Sequence, residues 1–479
     1  MIQFTGFAPD LDPTAPGVIT DCTNLVPTLR GYVGAPSGVN VGMDALAAAA
    51  LTGAVMTQLD GANRTFVGCA TKLYEKSSAT WADVSRATAY NASTSYPWRF
   101  AQFGNVSLAV NKGDVIQSSS SGAFADLTAP KAAVMCVASN FVMIANTNEA
   151  TYGDSVDRWW CSEYLVHTGW TPAISTQCTT GRLIATPGAI TGMRTLGNDV
   201  VAFKDRSMYL GRYVGAPGVW DFALIPGEVG CSSQEAIADI GVALVFIGFE
   251  DIYLFDGSSP KSVGTPLREW FFADLDPAYR YRIRSSHDRQ NSLVYFYYPR
   301  TGNGGGLNGC IVYNYKADRW GVAHRSIEAT VEYVTGGYTW NTLPITTWDS
   351  WPAVQWDSQF WTASTKYVAY IGTDHKVYSL TGASSSATMT TGDYGMEDNY
   401  SLLSRVTLRY LNAPTSATMT NYYQEQHGGA WTEDVTTTES SGRFDVLRSS
   451  VWHRVKFTFT GDFEISGAAA ATTEPDGVF

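Results

Sequence analysis

The residues best suited to chemistry crowd into YTWNTLPITTWDSWPAVQWDSQFW, residues 338–361. Trp340, Trp348, Trp351, Trp356 and Trp361 stand there beside Asp349 and Asp357. Exposed, such rings stack on sugar faces, and two carboxylates about 5–10 Å apart would do the acid–base work of glycoside cleavage. Buried, the same residues are sheet core and turn acids, which is the commoner use of Trp. The motif S-x-D-x-G-x-T-W is absent, so the stretch is a candidate aromatic interface or glycan platform without a recognisable catalytic frame.

Other chemistry finds less support. His167, His287, His324, His375, His427 and His453 are isolated from one another, with no H-x-H, H-E-x-x-H or Cys/His ligand spacing, so no metal site is expected. Asp374-His375 has the composition of a proton-relay pair, yet it falls in a hairpin turn, where Asp shapes the backbone. No G-x-S-x-G elbow or G-x-x-x-x-G-K-[ST] loop occurs. The glycines of 302–309 join two strands with no following helix to cradle a phosphate. The reading is therefore no enzyme, no catalytic residue and no cofactor.

Composition narrows the class. The 479 residues are 45% hydrophobic, 13% aromatic and only 16% charged, which suits a folded chain with a large core. The net charge is −12 and no Lys/Arg cluster appears, so stable binding to nucleic acid through its phosphates is not expected. Seven scattered cysteines, an odd number without C-x-x-C spacing, read as reduced thilos of a chain folded in a cytosol. The start, MIQFTGFAPDLDP, has neither the basic nor the apolar region of a signal peptide. No apolar run approaches the length of a membrane span; the nearest, 44–55, reads as a short helix or buried strand.

The elements that must position these residues are strands. NSLVYFYYPRTGNGGGLNGCIVYNYKADRWGV (291–322) reads as a β-hairpin: two runs rich in Val, Ile, Tyr and Phe around a glycine-rich reversal. The same pattern begins again at Thr65, Asn105, Asn140, Asn198, Val242 and Lys366, giving seven occurrences. Several are followed by an aromatic residue near an acid, as in Trp81/Asp83, Phe124/Asp126, Trp220/Asp221 and Asp318/Trp320, where the acid is expected to make the turn. Spread over the 317 residues from Phe66 to Gly382, the hairpins recur about every 45 residues, the length of one propeller blade. A blade has two apolar faces and must stack on neighbours to bury both. The expectation is an all-β protein: a β-propeller of six or seven blades, or an incomplete ring, over 41–384. A β-sandwich with loose hairpins is the alternative. Residues 1–40 read as an extended arm or closing strand. Residues 385–470, with period-two runs such as HRVKFTFTGDFEIS, read as an additional C-terminal β unit, and 471–479 as a tail following on from the alanine run.

The blocks LVFIGFEDIYLFDG, REWFFADLDPAYRYRIRSSHDRQNSLVYFYYP and CIVYNYKADRWGV resemble the tail hub proteins of short-tailed double-stranded DNA phages. PGVITDCTNLVPTLRGYVGAP and WHRVKFTFTGDFEISG resemble that family's opening and closing segments. These are the packaged-DNA stabilization proteins that form the tail nozzle. The resemblance implies a propeller-based structural subunit, folded in the host cytoplasm and placed in the virion tail. Six copies would form a homo-hexameric ring below the portal and adaptor, docking fibres, spikes or a needle. Genomic DNA would pass through the channel without sequence-specific binding, and no membrane anchoring is implied. A receptor-binding or glycan-degrading propeller is the competing expectation.

Overall fold

Each of the seven recurring hairpins becomes the second and third strand of a four-strand blade, the 284–322 blade continuing into a larger sheet, in a computed structural model, which describes residues 2–59, 61–334, 366–395, 399–426 and 428–473. Among the described residues the sheets run over 50–83, 99–126, 131–182, 192–225, 237–262 and 284–322, with a seventh over 329–379. The second strands are buried along almost their whole length, as in Phe141–Glu149 and Leu293–Pro299. Sheets packed on both faces require such continuous apolar runs. The fold is a β-propeller with an additional C-terminal β unit.

Contacts divide the chain into two compact units: Met1–Val39, Gly227–Ser326 and Thr381–Phe479 form one, and Asn40–Pro226 with Ile327–Leu380 form the other. In the second unit, consecutive sheets meet through their first strands. Ala329–Val334 lies against Ala50–Thr57, which neighbours Arg99–Phe103, then Lys131–Ala138, then Gly192–Leu196. The seventh sheet is completed at its outer edge by Val39–Asn40, and the Val41 N–H donates to the Val377 carbonyl at 3.2 Å.

The first unit holds the 237–262 and 284–322 sheets together with both chain ends. Two short strands at the start, Gly6–Phe7 and Val18–Thr23, join a sheet otherwise built from 387–395, 416–424, 432–438 and 452–460. Leu25–Pro27 instead extends the 284–322 blade through the pair Val322–Leu25. That approach is possible because residue 321 is glycine: a Cβ there would stand 2.2 Å from the Leu25 carbonyl oxygen. Buried Tyr32 ties the junction, its hydroxyl accepting from the Phe7 N–H and donating to the Trp320 carbonyl. The last strand, Glu464–Thr473, takes in the alanine run that the sequence suggests as the beginning of a tail, pairing it with Leu402–Leu408. Pairing with Ser401–Asn412 fixes a backbone that the run's composition alone does not specify.

The aromatic–acid pairs differ from the turn expectation in one respect. Trp81 and Asp83, like Trp220 and Asp221, lie on fourth strands, and Asp126 ends the fourth strand of its sheet. Their carboxylates tie down adjoining connections: Asp83 pairs with Lys72 at 2.5 Å and also accepts the Ser85 N–H at 3.0 Å, turning the chain at the strand's end, while Asp126 pairs with Arg86 at 2.7 Å. Only Asp318, at φ +51°, sits in the reversal itself, receiving the Tyr313 hydroxyl. The 44–55 stretch resolves as strand from Ala50 onward.

All seven cysteines are buried free thiols. Burial pushes Cys69, Cys136, Cys161 and Cys310 up to about 12, so each stays protonated and packs as a small apolar group.

His324 gives the first unit a pH dependence. Its Nδ1 accepts the Cys310 backbone N–H at 3.0 Å, which requires a neutral ring. Burial first, and then the Arg300 guanidinium, hold its pKa down at about 4. A base whose folded pKa lies below its unfolded value costs stability once the unfolded chain starts to take up the proton. Stability should therefore fall as pH drops from roughly 6.5 towards 4, by up to about 3 kcal/mol. Urea midpoints across that range should show the slope, and His324→Gln should flatten it.

Candidate interaction surface

The 131–182 sheet carries a long connection, 162–178, between its third and fourth strands. Hydrogen bonds pin it at several points. The Tyr164 N–H donates to the Thr176 carbonyl, Leu165 to Asn140, Val166 to Glu163 and Ala173 to Cys178. Trp170 is buried beneath and donates its ring N–H to the His167 carbonyl at 3.0 Å. A loop so tied holds its shape before any partner arrives.

What it holds outward is apolar. Leu165 is 60% exposed, Ile174 71%, and Val214 on the adjacent 192–225 sheet 57%. Tyr164 and Tyr213 join them, and both rest on the fully buried ring of Phe141, with centroids 5.3 and 5.5 Å away. The Tyr213 hydroxyl bonds the Gln177 side chain, coupling the two blades. The 18 residues from Tyr164 to Gly181 contain no Asp, Glu, Lys or Arg. About three would be expected at the chain's 16% charged content, so this segment is depleted of charge.

Leu165 adopts φ +62°. A branched side chain pays roughly 1–2 kcal/mol in the left-handed region, and such strain collects where a side chain must point in a required direction. Leu165→Asn, which tolerates this conformation, is expected to raise stability by about 1 kcal/mol while removing the exposed apolar group. Urea denaturation checks the gain.

At the opposite end of the strands Phe141–Glu149 and Gly153–Cys161 lies a groove of about 620 Å³. Tyr152, Val156 and Ile184 give it an apolar lining. Its two carboxylates are paired with cations of the same chain, and Arg158 lies over an aromatic ring. Arg182 forks onto Asp157 at 3.0 and 2.8 Å, Lys112 meets Asp154 at 2.8 Å, and the Arg158 guanidinium lies 3.7 Å from the Tyr152 ring centre. Burial disfavours the Asp157 carboxylate, but the Arg182 hydrogen bonds outweigh it and lower the pKa. Buried Lys204 donates to the Leu183 and Thr186 carbonyls and so fixes one wall.

The residues singled out by sequence fall elsewhere. Trp340, Trp348, Trp351, Trp356 and Trp361, with Asp349 and Asp357, lie outside the described residues, as does His427. Asp374 serves its turn, accepting the Tyr378 hydroxyl at 2.7 Å and the Lys376 N–H. His375, at φ +64°, places Nδ1 2.7 Å from Glu328, whose other oxygen accepts the Ala50 N–H. Among the described residues no three His, Cys, Asp or Glu side chains converge as metal ligands, and no helix is long and apolar enough to cross a membrane. Sequence reasoning missed Leu165, Ile174 and Val214. The available signal was an uncharged, partly apolar segment lying outside the hairpin repeat.

No protein-family model and no curated protein matches the chain in sequence. Similar solved structures include the WD40 domain of Neurospora crassa Pan2, 8% identical with TM-score 0.38, covering 74% of this chain and 96% of that one. YCF48 from Cyanidioschyzon merolae is 11% identical with TM-score 0.28, covering 55% and 95%. An exo-β-1,3-galactanase from Phanerochaete chrysosporium is 10% identical with TM-score 0.28, covering 91% and 99%.

Proposed function

We propose that this propeller is a non-enzymatic structural subunit, the tail hub or nozzle protein of a short-tailed double-stranded DNA phage. Copies would assemble into a ring, with six as the expected number, below the portal and adaptor. There they would guide and retain the genome and dock fibres, spikes or a needle. The observation that carries the assembly part of this reading is the neutral, pinned platform around Leu165 and Ile174. Exposed apolar side chains on a preorganised loop are what a permanent subunit contact uses. The phage assignment rests on the sequence blocks quoted above. The acidic balance fits a wall past which DNA slides without adhering.

Electron microscopy of virions carrying this chain, decorated with an antibody against it, tests the reading. Label in a ring just below the head is the expected result. Label at distal fibre tips, or none on the particle, overturns it in favour of a receptor-binding or glycan-degrading propeller.

A further inference from the structure

The groove of the 131–182 sheet owes its shape to an irregularity in one strand. Ala145 pairs with Trp159 and Thr147 with Ser155, so Val156, Asp157 and Arg158 stand opposite the single residue Asn146. Such a bulge re-aims side chains. Asn146, buried at φ +56°, accepts from the Lys112 ammonium at 2.8 Å and donates to the Ile190 carbonyl. The bulged backbone is held too, its Val156 and Asp157 carbonyls accepting the Ile190 and Leu183 N–H groups at 2.9 and 3.0 Å. The chain between those two bonds supplies Ile184, Thr186, Pro187 and Gly188 to the groove lining.

The charges of this site do not cancel. Lys112 matches Asp154 and Arg182 matches Asp157, which leaves the Arg158 guanidinium over. Among the described residues no carboxylate pairs with it. Its Nη1 reaches the Thr180 hydroxyl at 3.3 Å, its face lies over the Tyr152 ring, and its buried Nε has no hydrogen-bond partner. A spare positive charge, half-buried in a chain of net charge −12, is a place for an anion. A guanidinium stacked on a ring keeps its N–H edge for a planar carboxylate. Asp154 and Asp157 alongside would repel a multiply charged group, which favours a single carboxylate. Val156 and Ile184, 40% and 72% exposed, offer apolar contact to an aliphatic group beside it. Tyr152 already spends a ring face on Arg158, so a stacked sugar is the poorer fit.

We propose that the groove binds a peptide segment of a partner protein in which one carboxylate stands next to an aliphatic side chain. The carboxylate takes the Arg158 edge, and the aliphatic group lies on Val156 and Ile184. The inference rests neither on the phage assignment nor on the surface around Leu165.

Calorimetric titration of the full chain tests it with three probes: acetyl-AALEAA-amide, its Gln counterpart acetyl-AALQAA-amide, and acetyl-AAL with a free terminal carboxylate. At least one carboxylate probe should bind saturably and more weakly as salt rises, and the tighter of the two tells a side-chain acid from a chain terminus. The Gln peptide should bind at least about 10-fold more weakly than the Glu peptide, the loss expected for a charge-assisted hydrogen bond. Arg158→Gln should cause a similar drop for the carboxylate probe. Ile184→Asp, at an exposed position where folding should survive, should cause one as well, and thermal melts check both variants. Equal affinity for the Glu and Gln peptides overturns the proposal. So does the absence of binding up to about 5 mM, where even a Kd of about 1 mM would approach saturation. An oligogalacturonate that binds more tightly than either peptide, and is lost in the same variants, overturns the peptide in favour of an acidic glycan. The antibody experiment on virions reads the location of the chain and is unaffected by any of these results.

Discussion

Phe141→Ala is expected to lower the unfolding free energy by about 3–5 kcal/mol, the range for emptying a fully buried aromatic site. Phe141 has no exposed surface and packs among Tyr164, Tyr213 and Trp220, all with ring centroids within 6 Å. Met143, Cys161 and Val200 complete the cluster around it. Strands on both sides are held by hydrogen bonds, so the site has little room to collapse, and the cavity cost should sit towards the upper end of the range. The effect reaches beyond stability, because Tyr164 and Tyr213 lose the ring they rest on. Chemical denaturation followed by tryptophan fluorescence measures the first effect. Near-ultraviolet dichroism under native conditions measures the loosening of the tyrosines. Phe141→Leu should show a smaller version of both.

Arg64→Ala is expected to cost a comparable 3–5 kcal/mol, by a different route. Arg64 is 8% exposed and spends its whole fork inside the second unit. Nε and Nη2 grip both Glu75 oxygens at 2.7 and 2.8 Å, and Nη1 and Nη2 reach the Ser119 carbonyl and hydroxyl on the next sheet. The guanidinium also covers the Phe66 ring at 4.7 Å. Removing it leaves the Glu75 carboxylate, 19% exposed, without its counter-ion, and removes the tie to Ser119 between the 50–83 and 99–126 sheets. Lysine cannot reproduce a planar fork serving two strands, so Arg64→Lys should recover less than half of the loss. Thermal melts of the three chains check the order unaltered, Lys, Ala. An Arg64→Lys melt matching the unaltered chain would sink the argument from geometry and leave only charge.

Among the individual strands, legibility in the sequence followed burial. The second strand of each blade is packed on both faces, so its burial requirement appears directly as a run such as FVMIAN or LVYFYY. Fourth strands such as Thr179–Arg182 and Thr80–Asp83 face solvent and carry little apolar signal. Their place is set by backbone pairing to a neighbour already fixed, which any residue except proline supplies. For the same reason the first 40 residues were legible only as an extended arm or closing strand: the partner of Val18–Thr23, which is Thr388–Thr391, could not be read.

The sequence by itself determined that this chain is all β, that one hairpin repeats seven times at blade spacing, and that a different β unit follows. Local propensity and hydrophobic period are properties of neighbouring residues, and they survive in a string. Tertiary structure alone decided that both chain ends fold into one unit, that Asp83 and Asp126 pair with basic residues of adjoining connections, and where an exposed apolar surface lies. Leu165, Ile174 and Val214 are unremarkable letters in separate segments. They become a surface only because Phe141 sets two tyrosines side by side and hydrogen bonds to the Asn140 and Thr176 carbonyls hold the loop in place. Exposure is a property of what fails to pack against a residue, and that depends on the whole fold.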